Sequence, residues 1–180
     1  MKKTFLPNMR AVLITGPHDA GQNNVIQFLL NKFKPENIEQ IESLDEITCA
    51  NESKILILKT SASDANTFEQ KAKHDGANVL LVYIWASKEE RANRIKSENP
   101  SLNNKTIDLL LKQGTSPDRP KDLPSNKFFE IKNPRKETDE ATACAIEREI
   151  RKTLISASKQ SELELADLKS RKHTSACSMQ

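Results

Sequence analysis

The apolar residues of the chain fall into short continuous runs separated by stretches with helical spacing. The runs 9–15 (MRAVLIT) and 78–85 (NVLLVYIW) are apolar over nearly their whole length, which is typical of strands buried on both faces of a parallel sheet. Two shorter runs, 54–60 (KILILKT) and 127–132 (KFFEIK), lie between polar segments and predict two further strands. Residues 37–43 (NIEQIES) alternate weakly and predict a strand near a sheet edge.

Helical spacing of apolar residues predicts five helices between and after these strands. Ser63 or Asp64 can cap the second helix, and Ser87 with Glu90 forms a capping box at the start of the third. Residues 44–51 fit either a short helix or a loop, and the segment 115–126, which contains three prolines, predicts a loop. The predicted helices are 23–34, one that runs through 68–74, 88–98, 104–112 and 137–155.

Strands that alternate with helices indicate βαβ units and therefore a parallel sheet covered on both faces. We predict an α/β three-layer sandwich whose five-stranded sheet is mainly parallel, formed by residues 1–155. Residues 156–180 are polar, carry mixed charge and cannot bury much apolar surface, so they are predicted to be a disordered tail. A chain of 180 residues is about one domain, and a second full domain is not expected.

Charge, aromatic content and cysteine spacing exclude several classes of protein. The 28 basic and 25 acidic residues are interspersed, so no segment has the dense positive field of a dedicated nucleic-acid binder, and 4% aromatic residues argue against a base-stacking surface. No run reaches the roughly 20 apolar residues of a membrane span, and residues 1–10 lack the apolar stretch of a signal peptide. Cys49, Cys144 and Cys177 are widely spaced, so neither a disulfide framework nor a metal site is expected. We expect no nucleic-acid or membrane partner and a cytoplasmic location.

The distribution of glycine points to residues 16–24 (GPHDAGQNN). The chain has only 4 glycines, whereas average usage would give roughly 13, and two of the four flank a four-residue segment directly after the first strand. A strand, a glycine, four residues, a second glycine and a helix is the layout of a phosphate-binding P-loop, where backbone N–H groups and the helix dipole hold an anion. The alternative is a strand-to-helix turn that binds no ligand. The residues expected to form the cradle are Gly16, His18, Asp19, Ala20, Gly21, Gln22 and Asn23.

Two side chains that a P-loop uses for chemistry are absent from this loop. The usual lysine is Gln22 and the usual Ser or Thr, which holds Mg²⁺, is Asn23. The third strand ends in Lys59 rather than in an acidic residue. If the first and third strands are neighbours, Lys59 could bring an ammonium group to the phosphates; the alternative is a lysine that is simply solvated at a strand end. Mg²⁺ remains a possible cofactor although its usual ligands are missing.

The complete pattern resembles a small P-loop kinase of the nucleotide-kinase type. Within that group, the stretch ASKEERANRIK followed by FFEIKN is similar to guanylate kinase. The resemblance implies that Ser87 and Arg94 mark the start of a lid region, that Asn133 lies at the base end of the nucleotide site, and that ATP or GTP is the nucleotide. Arg91 and Arg94, one helical turn apart, fit either a phosphate clamp or a solvated helix face paired with Glu90 or Glu98.

These observations predict a P-loop kinase-like protein with a degenerate loop. Its site lacks usual catalytic side chains, as the site of a pseudoenzyme does. It is expected to bind a nucleotide or another phosphorylated small molecule with weak or no orthodox phosphotransfer. One alternative is a catalytically inactive module that binds a protein partner, and another is an active kinase whose catalytic groups are relocated to Lys59 and Arg94. The segment SELELADL and the polar end after it resemble the C-terminal translocation signals of effectors secreted by intracellular bacteria, which implies a host cytosol as the other location.

Overall fold

Five parallel strands form the centre of the fold in the order β2-β3-β1-β4-β5. A computed structural model of the chain describes residues 5–17, 19–47, 53–113 and 128–155. Every strand pairs in parallel with its neighbours, and β2 lies at an edge as predicted. The strands are β1 Arg10–Thr15, β2 Ile38–Ile41, β3 Ile55–Lys59, β4 Asn78–Trp85 and β5 Phe128–Lys132.

Helices cover both faces of the sheet and bury two separate apolar clusters. One cluster joins the sheet to the first and last helices around Val12, Leu29 and Ile146. The other joins the opposite face to the second helix around Leu13 and Ala72. The predicted three-layer α/β fold is therefore confirmed, with a sheet that is parallel throughout the described residues. The helices are α1 Gln22–Lys32, α2 Ala62–Asp75, α3 Lys88–Glu98, α4 Asn104–Gln113 and α5 Asp139–Ile150.

Two local predictions, the cap of α2 and the extent of the last helix, differ from the structure. Ser61, rather than Ser63 or Asp64, caps α2, because its hydroxyl accepts a hydrogen bond from the Asp64 N–H. The predicted helix 137–155 is divided into a 3₁₀ turn at Lys136–Thr138, α5, and a wider π-helical turn at Arg151–Ile155. The ambiguous segment after β2 contains a short 3₁₀ helix at Leu44–Glu46. The predicted loop 115–126 and tail 156–180 lie outside the described residues.

Strand order brings the loop after β1 and the end of β3 together. The register pairs Ile14 with Lys59, and the Thr60 N–H donates to the Ile14 carbonyl at 2.9 Å. Because the carboxyl ends of parallel strands meet at one edge of the sheet, the neighbourhood expected for Lys59 and the loop is present. No helix within the described residues has the length and apolar character needed to cross a membrane.

Gly16 stands where β1 leaves the sheet and passes close to β4. A Cβ atom on Gly16 would lie 1.9 Å from the carbonyl oxygen of Ile84, which is strand backbone. A strand held in a ladder on both sides moves only with loss of its hydrogen bonds. The chain therefore needs a glycine here because of the close approach, as the glycine distribution indicated.

We expect Gly16→Ala to lower the free energy of unfolding more than Gly76→Ala does. Gly76 also has a positive φ, 83°, but a Cβ there would meet nothing nearer than 3.9 Å from outside its chain neighbours. Gly76→Ala should therefore cost about 1–2 kcal/mol from backbone strain alone, while Gly16→Ala adds a backbone clash. Urea unfolding of the two variants measures the difference, and equal losses would show that Ile84 yields at little cost.

Candidate functional site

The loop between β1 and α1 leaves the first turn of α1 open to an anion. Gly21 is the N-cap of α1 with φ of 85°, and as a glycine it has no side chain to accept a hydrogen bond from the first-turn N–H groups. In contrast, the hydroxyls of Ser61 and Ser87 cap α2 and α3. The first turn of α1 itself contains no acidic residue, and the carboxylate nearest in sequence before it is that of Asp19, two residues before Gly21. Uncapped N–H groups at a helix N-terminus are the donors that bind phosphate in P-loops.

Gln22 braces the loop from the position of the usual lysine. Its side chain is buried, and its amide Nε2 donates to the Pro17 carbonyl at 2.7 Å. Asp19 adopts φ of 63° between these two residues, a conformation that Asp tolerates better than most residues do. The uncharged side chain of Gln22 therefore holds the loop in shape. The carboxylate of Asp19 adds a negative charge to the loop.

Lys59 lies beside the start of α1. Its Nζ donates to Asn23 Oδ1 at 2.8 Å, and both groups are exposed. Asn23 occupies the position where a P-loop has the Ser or Thr that holds a metal ion. The structure thus places an ammonium group next to the uncapped first turn of α1, at the mouth of the loop.

Arg94 lies in the interior behind the loop. Its Nη1 donates to both carboxylate oxygens of Asp139, at 2.9 and 3.0 Å, and its Nη2 donates to the Asn133 carbonyl at 3.3 Å. The side chains of Arg94 and Asp139 are only 3% and 1% exposed. The arginine expected at the start of a lid is therefore half of a buried ion pair between α3 and α5.

Asn133 links the ion pair to the loop. Its Nδ2 donates to Asp139 Oδ1 at 2.6 Å and to the Ala20 carbonyl at 2.9 Å, while its Oδ1 accepts from the hydroxyls of Thr138 and Thr142. The side chain is fully buried, so its amide contacts protein groups on every side. The residue expected at the base end of a nucleotide site instead fastens the loop to the turn before α5.

Gly21 sits against this buried network. A Cβ on Gly21 would lie 2.6 Å from Arg94 Nη1 and 2.7 Å from both Asn133 Nδ2 and Asp139 Oδ1. Asn24, in the first turn of α1, donates to Asp139 Oδ2 at 2.9 Å. We refer to Arg94, Asp139, Asn133 and Asn24 as the buried network. It fixes the loop, α3 and α5 relative to one another.

Asp139 is the residue that sequence reasoning missed. In the sequence it is one of two adjacent acids in the first turn of an amphipathic helix, which is an ordinary place for exposed carboxylates. The solvated-face interpretation of Arg91 and Arg94 is wrong, because both arginines are buried. One signal in the sequence could have revealed their burial. Arg91 and Arg94 stand one turn apart on α3, which has very few apolar residues, so its buried face had to include them.

A cleft of about 470 Å³ opens between α3 and the residues that follow Asn133. Glu90, Asn93 and Ser97 line it on the α3 side, and Arg135 and Lys136 line the other. Lys132 pairs with Glu90 at 2.8 Å and, by this hydrogen bond, holds the pKa of Glu90 below its ordinary value. The cleft therefore carries charges of both signs at neutral pH.

The loop lacks the hydroxyl that holds Mg²⁺ in a P-loop, because Asn23 stands at that position. Within the described ranges, no three His, Cys, Asp or Glu side chains gather into a cluster. Asn23 Oδ1, the oxygen nearest to the usual metal position, already accepts from Lys59. His18, expected in the cradle, lies outside the described residues, whereas Gly16, Asp19, Ala20, Gly21, Gln22 and Asn23 all lie in the loop or the first turn of α1.

The fold is similar to solved structures that include P-loop kinases. A gluconokinase from Sinorhizobium meliloti 1021 matches with a TM-score of 0.51 and 8% identity, over 88% of this chain and 98% of that protein. An uncharacterised protein from Eubacterium ventriosum ATCC 27560 matches with a TM-score of 0.53 and 11% identity, over 81% of this chain and 99% of that one. At these identities the likeness shows the α/β fold, which this chain shares with a kinase, and nothing finer. No protein-family model and no curated protein matches the chain.

Removing the charge from Asp139 tests the buried network. Asp139→Asn leaves the Arg94 guanidinium buried without a carboxylate, so we expect a loss of about 3–5 kcal/mol in the free energy of unfolding. Asp108→Asn is the matched control, because Asp108 pairs with Lys88 at an exposed site and should cost less than about 1 kcal/mol. Urea unfolding measures both values, and similar small losses would mean that the buried pair does not organise the fold.

Proposed function

We propose that this protein binds a nucleotide or another phosphorylated small molecule at the loop 16–23, with weak or no orthodox phosphotransfer. The observation that carries the proposal is the ammonium group of Lys59 beside the uncapped N-terminus of α1. A fixed cation next to free backbone N–H groups is a favourable environment for a phosphate. A turn that only connects β1 to α1 would require neither feature.

The two sources of positive charge act together on one anion. The N–H groups of the first turn of α1 and its dipole supply partial charges that do not depend on pH. Lys59 supplies one full charge from the end of β3, and its partner Asn23 Oδ1 is a neutral acceptor. A phosphate oxygen is a stronger acceptor than an amide oxygen, so the ammonium group can bind the ligand in place of Asn23.

A nucleoside part would extend from the loop toward the cleft between α3 and residues 134–137. The cleft volume of about 470 Å³ lies within the usual range for ligand pockets. Polar side chains such as Asn93 and Ser97 supply donors and acceptors for a base. We therefore propose ATP or GTP as the nucleotide, with Asn133 acting as a positioning residue through the loop that it anchors.

The same geometry argues against efficient phosphoryl transfer. Catalysis of this reaction depends on positive groups that stabilise charge on the transferred phosphoryl group in the transition state. Gln22 is uncharged, Arg94 is committed to Asp139, and no carboxylate cluster for Mg²⁺ exists among the described residues. Lys59 remains beside the loop as a candidate for this role, and one ammonium group supplies only part of the stabilisation.

A second candidate function is that of a protein-interaction module on the same fold. Leu109 and Leu110 on α4 are 53% and 38% exposed, which is unusual for adjacent leucines in an otherwise polar surface. The guanylate-kinase-like assignment belongs to the first proposal, because it depends on a working nucleotide site. Nucleotide binding separates the two functions.

We expect ATP or GTP at millimolar concentration to raise the melting temperature of the full chain, with Lys59→Ala weakening the affinity about ten-fold or more. The reason is the loss of a charge-assisted hydrogen bond, worth about 1.5–3 kcal/mol. Lys71→Ala is the matched control, since Lys71 is an exposed lysine on α2. Thermal-shift titrations of the parent and both variants give the affinities.

Two results would contradict the proposal. If neither nucleotide stabilises the parent protein, the interaction module becomes the better assignment. If Lys59→Ala binds as tightly as the parent, the cation at the loop has no part in binding. Transfer of radiolabelled phosphate that depends on Lys59 would instead support an active kinase with relocated groups.

A further inference from the structure

A second cleft, of about 480 Å³, lies at the end of the sheet where the parallel strands begin, opposite the loop. It opens beside Arg10, where β1 begins, and the last residues of α1. Since β1 has six residues, this edge is about 20 Å from the phosphate-binding loop at its other end. We refer to it as the basal cleft, and the site described above makes no use of it.

The charged residues that line the basal cleft are all cationic. They are Arg10, Lys32, Lys34 and Arg151, and no acidic residue lines the cleft within the described part of the chain. The four come from β1, from the end of α1 and the residues after it, and from the π-helical turn, so the fold and not a local sequence run collects them. A run of like charges along one helix would be an ordinary solvated face, but convergence from three elements on one concavity is not.

Carboxylates behind the cleft neutralise only part of this charge. Arg151 pairs with Glu147 at 2.9 Å, and Lys32 lies 3.8 Å from Glu140. Contacts with Cys144 and then with the carboxylates of α5 raise the pKa of Lys32, so its ammonium stays charged at neutral pH. Four cations against two carboxylates leave about two positive charges facing the cleft.

Apolar groups line the cleft between these cations. Phe33, Ile55 and Ile155 contribute its apolar surface, and the guanidinium of Arg151 lies over the Phe33 ring at 5.1 Å from the centroid. Ile55 is almost fully buried, so this surface belongs to a packed part of the fold. Cations around an apolar surface suit a ligand with an anionic group on a hydrocarbon or ring body.

We propose that the basal cleft binds a phosphate monoester of a small molecule that carries a ring or hydrocarbon body. A phosphate monoester carries between one and two negative charges at neutral pH, which matches the excess charge of the cleft. Arginine and lysine together supply the forked and point-charge donors that phosphate oxygens accept. The volume fits a ligand of this size, whereas a membrane surface or a long acidic peptide would contact mainly the rim.

Calorimetric titration of the full chain with 1-naphthyl phosphate tests the proposal. We expect saturable binding that Lys34→Glu weakens about ten-fold or more, because Lys34 has no ion-pair partner among the described residues and its charge faces the cleft. Lys71→Glu, an equal charge change on α2, should alter the affinity by less than about two-fold. 1-Naphthyl sulfate, similar in shape with one negative charge, should bind more weakly than the phosphate.

Lys59→Ala separates the basal cleft from the loop, because it removes only binding that the loop contributes and the Lys34-dependent binding should remain. Amide shifts of Asn37 and Ile155 in an NMR titration should accompany binding, since both residues line the cleft. Any of four results would overturn the proposal: no binding at millimolar 1-naphthyl phosphate, equal weakening by Lys71→Glu, loss of binding in Lys59→Ala with Lys34→Glu unaffected, or Lys34-dependent binding to anionic vesicles without binding of the soluble phosphate.

Discussion

The ion pair between Arg94 and Asp139 determines how the loop between β1 and α1 can be built. Burying both charges is costly, and the cost is offset only if each group is satisfied by several polar partners. Asp139 obtains them from Arg94, Asn133 and Asn24, which belong to α3, the end of β5 and α1. Three separate elements therefore meet at one carboxylate.

The position of Gly21 follows from this constraint. Its Cα stands so close to the network that the atoms of Arg94, Asn133 and Asp139 occupy the space of a side chain. The positive φ of Gly21 also starts α1 without a side-chain cap. The interactions that stabilise the core thus leave the first turn of α1 open, and the open turn is the feature that a phosphate requires. Stability and the proposed ligand binding therefore depend on the same residues at this end of the sheet.

The sequence predicted the parts of the fold that depend on local pattern. The apolar runs of β1, β3 and β4 and the glycines of the loop are visible because each follows from periodicity or from a backbone requirement. The proximity of Lys59 and the loop also followed, since parallel strands end at one edge. Asp139 was not predictable in this way, because its burial depends on which helix packs against α1. The cations of the basal cleft come from positions as far apart as 10 and 151, and only the assembled fold brings them together.

Under the proposed function, the location of Lys59 explains how the loop can bind a phosphate although Gln22 stands where a P-loop has its lysine. Its bond to Asn23 is exposed, and such a bond contributes only about 1 kcal/mol, so a phosphate oxygen can replace the amide oxygen at little cost. The same ammonium reaches the loop from the side, out of the end of a neighbouring strand. A single ammonium group strengthens binding of the phosphate and supplies only part of the stabilisation that the transition state of transfer needs. Efficient transfer would need a second cation directed at the transferred group. Arg94, which could have supplied it, is instead paired with Asp139 in the core.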